Sequence, residues 1–314
     1  MGARHELAQH LSRRSRRTHN RQAQALKKMT HPAPQVGPKA ADSDFAGRFR
    51  EIISDPLNLL IERHPLAGYI SNNSYVVLHN GNQVPVQGPG SYYGTFSHIL
   101  LLNRGVHEPL EEYVFQELMR IIPEKPAMLE LGAYWAHYSM WLKKKRPGAS
   151  VYMVEPEAEN IQAGVANFRL NQYAGEFIQA FVGHGHFGVD AFLESRKLEK
   201  LDILHSDIQG FEGEMLADCR QTLARRAVDY IFVSTHSQAL HQQVVDTLAG
   251  HGYRVEVSAD FDHETTSFDG LVFASSPDKP AVFQDFRPLG RTEIGNTTPL
   301  DTVTRLLQTL QPKR

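Results

Sequence analysis

His205 and Asp207 stand two residues apart in LDILHSD, so on an extended strand their side chains leave the same face. His236 closes the next apolar run, YIFVSTHS, and Gln209 and Glu212 follow Asp207 closely. If the two runs are neighbouring strands, Asp207 and His236 sit side by side above one sheet edge. An aspartate and a histidine so placed support two chemistries. His236 can serve as a general base with Asp207 orienting it, which predicts activity falling below the histidine pKa, about 6.5 if unperturbed. Alternatively Asp207 holds a hard divalent ion such as Mg2+ together with His236 or Glu212, and its oxygen-rich surroundings favour that version slightly. Taken alone, His205 reads as a core histidine with its hydrogen bonds satisfied.

A second constellation precedes this one. MLELG ends in Gly132-Ala133, a pair that lets the backbone turn closely around a ligand before a helix begins. VYMVEP is a buried strand ending in an acid, and Glu155 lies 23 residues after Gly132. That is about the separation at which a carboxylate meets the vicinal ribose hydroxyls of an adenosine ligand. Each signal is weak by itself. In register with alternating strands and helices, they point to an adenosine site.

The elements needed to position these residues are legible from residue 108 onward. EPLEEYVFQELMRII places Leu110, Val114, Phe115, Leu118, Met119 and Ile122 at helical spacing, with Pro109 and the acids Glu108, Glu111 and Glu112 in its first turn. AMLEL, VYMVE, EFIQAFV, LDILHSD and YIFVST then alternate with amphipathic segments, which predicts a parallel sheet with helices on both faces. One of those helices is expected to carry Met215, Leu216, Cys219 and Leu223. The last two strands, YRVEVS and GLVFAS, are joined by ADFDHETTSFD, too irregular for a crossover helix. An antiparallel hairpin at the sheet edge is expected there, unlike a plain dinucleotide-binding domain. The fold class is therefore α/β, a doubly wound, mostly parallel seven-stranded sheet.

MLELGAYWAHYS, VYMVEPEAENIQAGVANFRLN and LDILHSDIQGFEGEML resemble, in order, the first, second and fourth strand motifs of FkbM-type methyltransferases. The resemblance spans about residues 108–275. It implies a class I methyltransferase fold, S-adenosylmethionine as cofactor, and in most members oxygen as the methylated atom on small molecules or sugars. It assigns Glu130, Gly132 and Ala133 to the methionine part of the cofactor and Glu155 to the ribose, with Tyr134 and Pro156 also expected at the cofactor. In GHGHFG, Gly183 is expected to make room for the adenine, while His184 and His186 lack the further spaced ligands of a metal site. The chain departs from the family pattern in two places. Tyr134, Trp135 and Ala136 replace a small polar residue and a second glycine, so the first loop is expected to take another path. His205 and Gln209 stand where a lysine and an acid are common. Tyr92, Tyr93, Tyr134 and Trp135 are candidates to line an acceptor pocket. A methyltransferase-like binding protein without activity, and a nucleotide-dependent oxidoreductase, are the alternatives; the latter needs a tighter glycine fingerprint than GAYWAH.

Bulk properties bound the rest. The 314 residues are 41% hydrophobic and 22% charged, a globular composition, with a formal charge of −2. Arg4, Arg13, Arg14, Arg16, Arg17, Arg21, Lys27 and Lys28 face only Glu6 in the first thirty residues. Residues 1–41 are thus read as a basic, flexible tail and a Pro-rich linker, 42–107 as a helical and hairpin subdomain that caps the fold, 108–280 as the methyltransferase domain, and 281–314 as an extension with a helix. The core shows no basic stripe, so a small-molecule acceptor is expected rather than a nucleic acid, although the basic tail keeps nucleic acid or a homo-oligomeric contact open. Cys219 is the only cysteine, and no apolar run reaches the roughly 18 residues of a membrane span, so a cytoplasmic protein is expected.

Overall fold

The computed structural model describes residues 45–309 apart from Tyr93 and His184. The expectations for residues 1–41, Tyr93 and His184 therefore lie outside the described residues. Helix α1 (Phe45–Ser54) leads to a small antiparallel sheet of β1 (Ile70–Ser71), β2 (Tyr75–Val77) and β3 (Gln83–Pro85). The turn Asn80-Gly81-Asn82 joins β2 to β3, with Gly81 at φ +85°, so the expected hairpin is present. Helices α2 (His98–Leu102) and α3 (Pro109–Leu118) follow.

The main sheet contains β4 (Ala127–Leu131), β5 (Ser150–Glu155), β6 (Glu176–Gln179), β7 (Leu201–Ser206), β8 (Val228–Thr235), β9 (Arg254–Ala259) and β10 (Gly270–Ser275). Their order is β6-β5-β4-β7-β8-β10-β9, parallel except that β10 runs antiparallel to both neighbours. The terminal hairpin is thus confirmed, with its second strand inserted between β8 and the edge strand β9. Helices α4 (His137–Lys145), α5 (Ala158–Leu170), α6 (Val189–Arg196), the short pair α7 (Glu212–Ala217) and α8 (Arg220–Ala224), and α9 (Gln238–Gly250) supply the crossovers. The segment expected to form one helix through Met215 and Leu223 is therefore two, interrupted at Asp218-Cys219. Helices α10 (Arg291–Gly295) and α11 (Pro299–Thr309) close the chain.

A strand covered on both faces must be apolar along its length, and β7 and β8 are buried at every position. Alternate residues feed two cores. Met128, Ile203 and Phe232 point into one, while Leu129, Leu204 and Ile231 point into the other. Phe49, Ile52, Val76 and Leu78 join Phe115, Trp141 and Phe232 in the first core. Residues 45–107 therefore share a core with the sheet, and 45–309 fall in one compact unit. Phe232 is fully buried, with ring centroids 4.7 Å from Phe273 and 5.6 Å from Phe115. Phe232→Ala is expected to cost about 3–5 kcal/mol by urea denaturation, because it removes a large transfer term and leaves a cavity in a packed layer.

Candidate functional site

Strand order reverses at β4, and a cleft of about 450 Å³ opens beyond the carboxyl ends of β4, β5 and β7. Gly132, Ala133, Tyr134 and Trp135 of the loop after β4 line it. Gly132 has φ +74°, and a Cβ there would fall 1.7 Å from the Asp207 carbonyl oxygen. Only glycine fits. Ala136 adopts φ +64° and Tyr134 φ +42°, so non-glycine residues occupy the left-handed region here at a cost of roughly 1–2 kcal/mol each. The alanine was expected to avoid that conformation; the loop instead imposes it, and Ala136 hands the chain directly to α4.

Of the residues expected to hold the cofactor, Glu130, Gly132, Ala133, Tyr134, Glu155 and Pro156 all line this cleft. The Glu155 carboxylate accepts hydrogen bonds from the backbone N–H groups of Tyr134 and Glu157 and from the Asn160 amide, each at 3.1 Å. It ties the β4 loop to the start of α5. Glu130 is buried and accepts the Ser139 N–H at 3.1 Å; burial pushes its carboxyl above the ordinary range. Gly183 does not line the cleft, although its neighbours Phe181 and Val182 do. A Cβ on Gly183 would lie 3.1 Å from a Glu214 carboxylate oxygen, so this glycine makes room for Glu214 rather than for a base.

The β7 and β8 ends bring Asp207 and His236 together, as the strand spacing requires. His236 Nε2 lies 3.2 Å from Asp207 Oδ1 and 3.3 Å from Asp269 Oδ1, while Nδ1 lies 2.9 Å from Glu212 Oε1. Burial alone would lower the imidazole pKa, but the three carboxylates outweigh it and push the group up to about 11. The base version expected a group titrating near 6.5. The structure corrects this: His236 is an imidazolium across the neutral range, and both nitrogens face carboxylates. Asp207 lines the cleft and His236 does not. The proposed ligand trio also changes. Asp207, His236 and Asp269 offer atoms within 4.8 Å of one another, whereas Glu212 sits on the opposite nitrogen and can only orient the ring.

Glu108, His137 and Tyr138, which composition and spacing did not single out as site residues, also line the cleft. His205 Nε2 is held by Glu111 at 2.5 Å, but its Nδ1 is buried without a hydrogen-bond partner among the described residues and the residue lines the cleft, so it is not the fully satisfied core histidine expected; Glu111 also accepts the Ser234 hydroxyl at 3.1 Å. Glu108 lines the cleft, accepts the Tyr138 hydroxyl at 3.1 Å, and is pushed up to about 7 chiefly by burial. Trp135 stacks on His137 at 5.1 Å, which itself is buried and lowered to about 3. Glu108, Glu111 and Glu112 looked like first-turn helix acids; their apolar spacing partners gave no sign that all three would point inward. Asp269 was hidden in an irregular loop.

The ion pair around His236 predicts a pH effect on stability. Its folded pKa lies above the unfolded value, so the pair stabilises fully below about pH 6.5 and progressively less as pH rises toward 11. Thermal unfolding of the wild type minus His236→Gln should therefore show a stability difference that shrinks between pH 7 and pH 10.

The Methyltransferase FkbM domain model matches residues 186–255, which run from before α6 into β9 and contain Asp207, Glu212 and His236. The match is narrower than the 108–275 span of the motif resemblance and omits the first two strand ends. No curated protein matches the sequence. Among solved structures, a precorrin-6y C5,15-methyltransferase from Geobacter metallireducens GS-15 aligns at 16% identity over 61% of this chain and 98% of its own, with a TM-score of 0.42. M. capricolum TrmK in complex with S-adenosyl-homocysteine aligns at 11% identity over 55% and 71%, TM-score 0.38. Aeropyrum pernix fibrillarin with bound S-adenosyl-L-methionine aligns at 18% identity over 49% and 68%, TM-score 0.35. The family match covers the fourth and fifth main-sheet strands, so residues 186–255, within a mostly parallel sheet, are similar to a Methyltransferase FkbM domain.

Proposed function

We propose that the domain transfers the methyl group of S-adenosylmethionine to a hydroxyl oxygen of a small-molecule or sugar-type acceptor. The observation that carries this reading is the charge of the cleft. Glu108, Glu130, Glu155, Glu157 and Asp207 line it, and no lysine or arginine does so among the described residues. A sulfonium cation is stabilised in such a field, whereas the pyrophosphate of a dinucleotide would meet no cationic partner. The same observation argues against the oxidoreductase alternative.

In this reading Glu155 accepts from the ribose hydroxyls and Gly132 gives the backbone its close approach. The C–S bond breaks as the C–O bond forms, and the hydroxyl proton must leave the acceptor. Asp207, braced by the His236 imidazolium, orients that hydroxyl. Glu108, with its carboxyl pushed to about 7, is the proton acceptor on the wall, since a base works best when its pKa lies near the working pH. A second reading rests on the convergence of Asp207, His236 and Asp269. A divalent cation held there would displace the imidazole proton and take the acceptor oxygens as further ligands, with Glu212 fixing the ring.

Three measurements test these roles. Glu155→Ala is expected to weaken S-adenosylmethionine binding at least about tenfold, since it removes two charge-assisted hydrogen bonds. Unchanged affinity would remove the ribose assignment. Asp207→Asn should leave cofactor affinity within a few-fold and lower methyl transfer by about a hundredfold or more; near wild-type rates would eliminate both readings of Asp207. Chelator should leave the rate unchanged if the carboxylates act alone. Loss on chelation with recovery on adding Mg2+ would select the cation reading.

A further inference from the structure

Glu112 is fully buried in the first turn of α3, and three buried histidines from three different segments converge on one of its oxygens. Glu112 Oε1 lies 2.7 Å from His107 Nδ1, 3.2 Å from His137 Nε2 and 3.6 Å from His79 Nδ1. His79 follows β2 of the small sheet, His107 precedes α3, and His137 opens α4. Buried polar atoms are normally partnered. Here Nε2 of His79, Nδ1 of His107 and both ring nitrogens of His137 make no hydrogen bond among the described residues, the 2.7 and 3.2 Å approaches to Glu112 being off hydrogen-bond geometry, while the His107 backbone N–H donates to the Glu112 carboxylate at 3.3 Å. His79 Nδ1 does have a partner, the Gly105 carbonyl oxygen at 3.0 Å. An imidazole tied by one nitrogen to a backbone carbonyl, with the other left free, is the usual preparation of a metal ligand.

We infer that His79, His137 and Glu112 form a buried site for a divalent first-row transition ion, with Zn2+ the best fit, and that His107 braces the Glu112 carboxylate. Ligand atoms from the three residues lie within 4.8 Å of one another. Tetrahedral ligands about 2.1 Å from zinc stand roughly 3.4 Å apart, and the 3.2 Å between His137 Nε2 and Glu112 Oε1 is near that spacing. Two imidazoles and one carboxylate suit zinc or ferrous iron rather than the all-oxygen environment that magnesium prefers. The inference is independent of methyl transfer and of the Asp207 cluster. Its consequence is mechanical: an ion here would pin the small sheet to α3 and α4, behind the Trp135 and His137 wall of the cleft.

The test is zinc titration of the full-length, chelator-treated protein, read by competition with a chromophoric chelator and by thermal unfolding. One equivalent of Zn2+ is expected to bind and raise the melting temperature. Binding should be lost in His137→Gln and Glu112→Gln and kept in an Asp207→Asn, Asp269→Asn double variant. X-ray absorption of the zinc-loaded wild type should show two imidazole ligands, a readout that stands even if the histidine variants do not fold. No zinc uptake by the wild type, retention in folded His137→Gln, or a single imidazole around the metal would each overturn the assignment.

Discussion

A Cβ on Gly132 would sit 1.7 Å from the Asp207 carbonyl oxygen, and the cleft depends on that contact. It presses the end of β4 against the end of β7, an approach also held by the Asp207 N–H donating to the Leu131 carbonyl at 2.9 Å. Gly132 and Ala133 in turn donate to the Val154 carbonyl at 2.9 and 3.0 Å, which brings the end of β5 to the same point. Three strand ends are thus drawn together without any side chain between them. Glu130, Glu155 and Asp207 reach one cavity because the backbone beneath them is this close.

So many carboxylates near one cavity would repel each other unless each were answered locally, and the structure answers them by different means. Backbone and amide N–H groups hold Glu155, the His236 imidazolium holds Asp207, and His205 holds Glu111. Glu112 sits among histidines and is kept well below the ordinary carboxylate range, burial being outweighed by those neighbours. Glu108 and Glu130 are driven upward instead, chiefly by burial. This differential treatment separates a charged wall from a proton-bearing group within one cleft, which is the arrangement that acid and base chemistry at neutral pH requires. The field left over is negative and suits a cationic cofactor.

The fold was legible because its signals are local. Continuous apolar runs gave β7 and β8, the irregular ADFDHETTSFD loop gave the reversed β10, and Asn80-Gly81-Asn82 gave the small hairpin. The placement of Gly132 and Glu155 at the cleft was legible for the same reason, since they sit at strand ends whose positions follow from alternation. What sequence did not give depends on contacts between distant segments. Asp269 reaches His236 from a loop after β9, and Glu212 meets the other ring nitrogen than the metal reading required. His79 and Glu112 are 33 residues apart, and nothing in the spacing announces that they touch. Gly183, expected beside the adenine, is not among the residues that line the cleft, although Phe181 and Val182 are. Ala136 shows that a loop held at both ends can impose a left-handed conformation on a residue that resists it.

The central claim is that an acidic cleft at the reversal of strand order accepts a sulfonium cofactor and not a dinucleotide. Calorimetric titration of the wild-type chain with S-adenosylmethionine and, separately, with NAD tests it most directly. Saturable binding of one S-adenosylmethionine per chain with no heat from NAD is the predicted result. Binding of NAD, or silence toward S-adenosylmethionine in a folded sample, would contradict it.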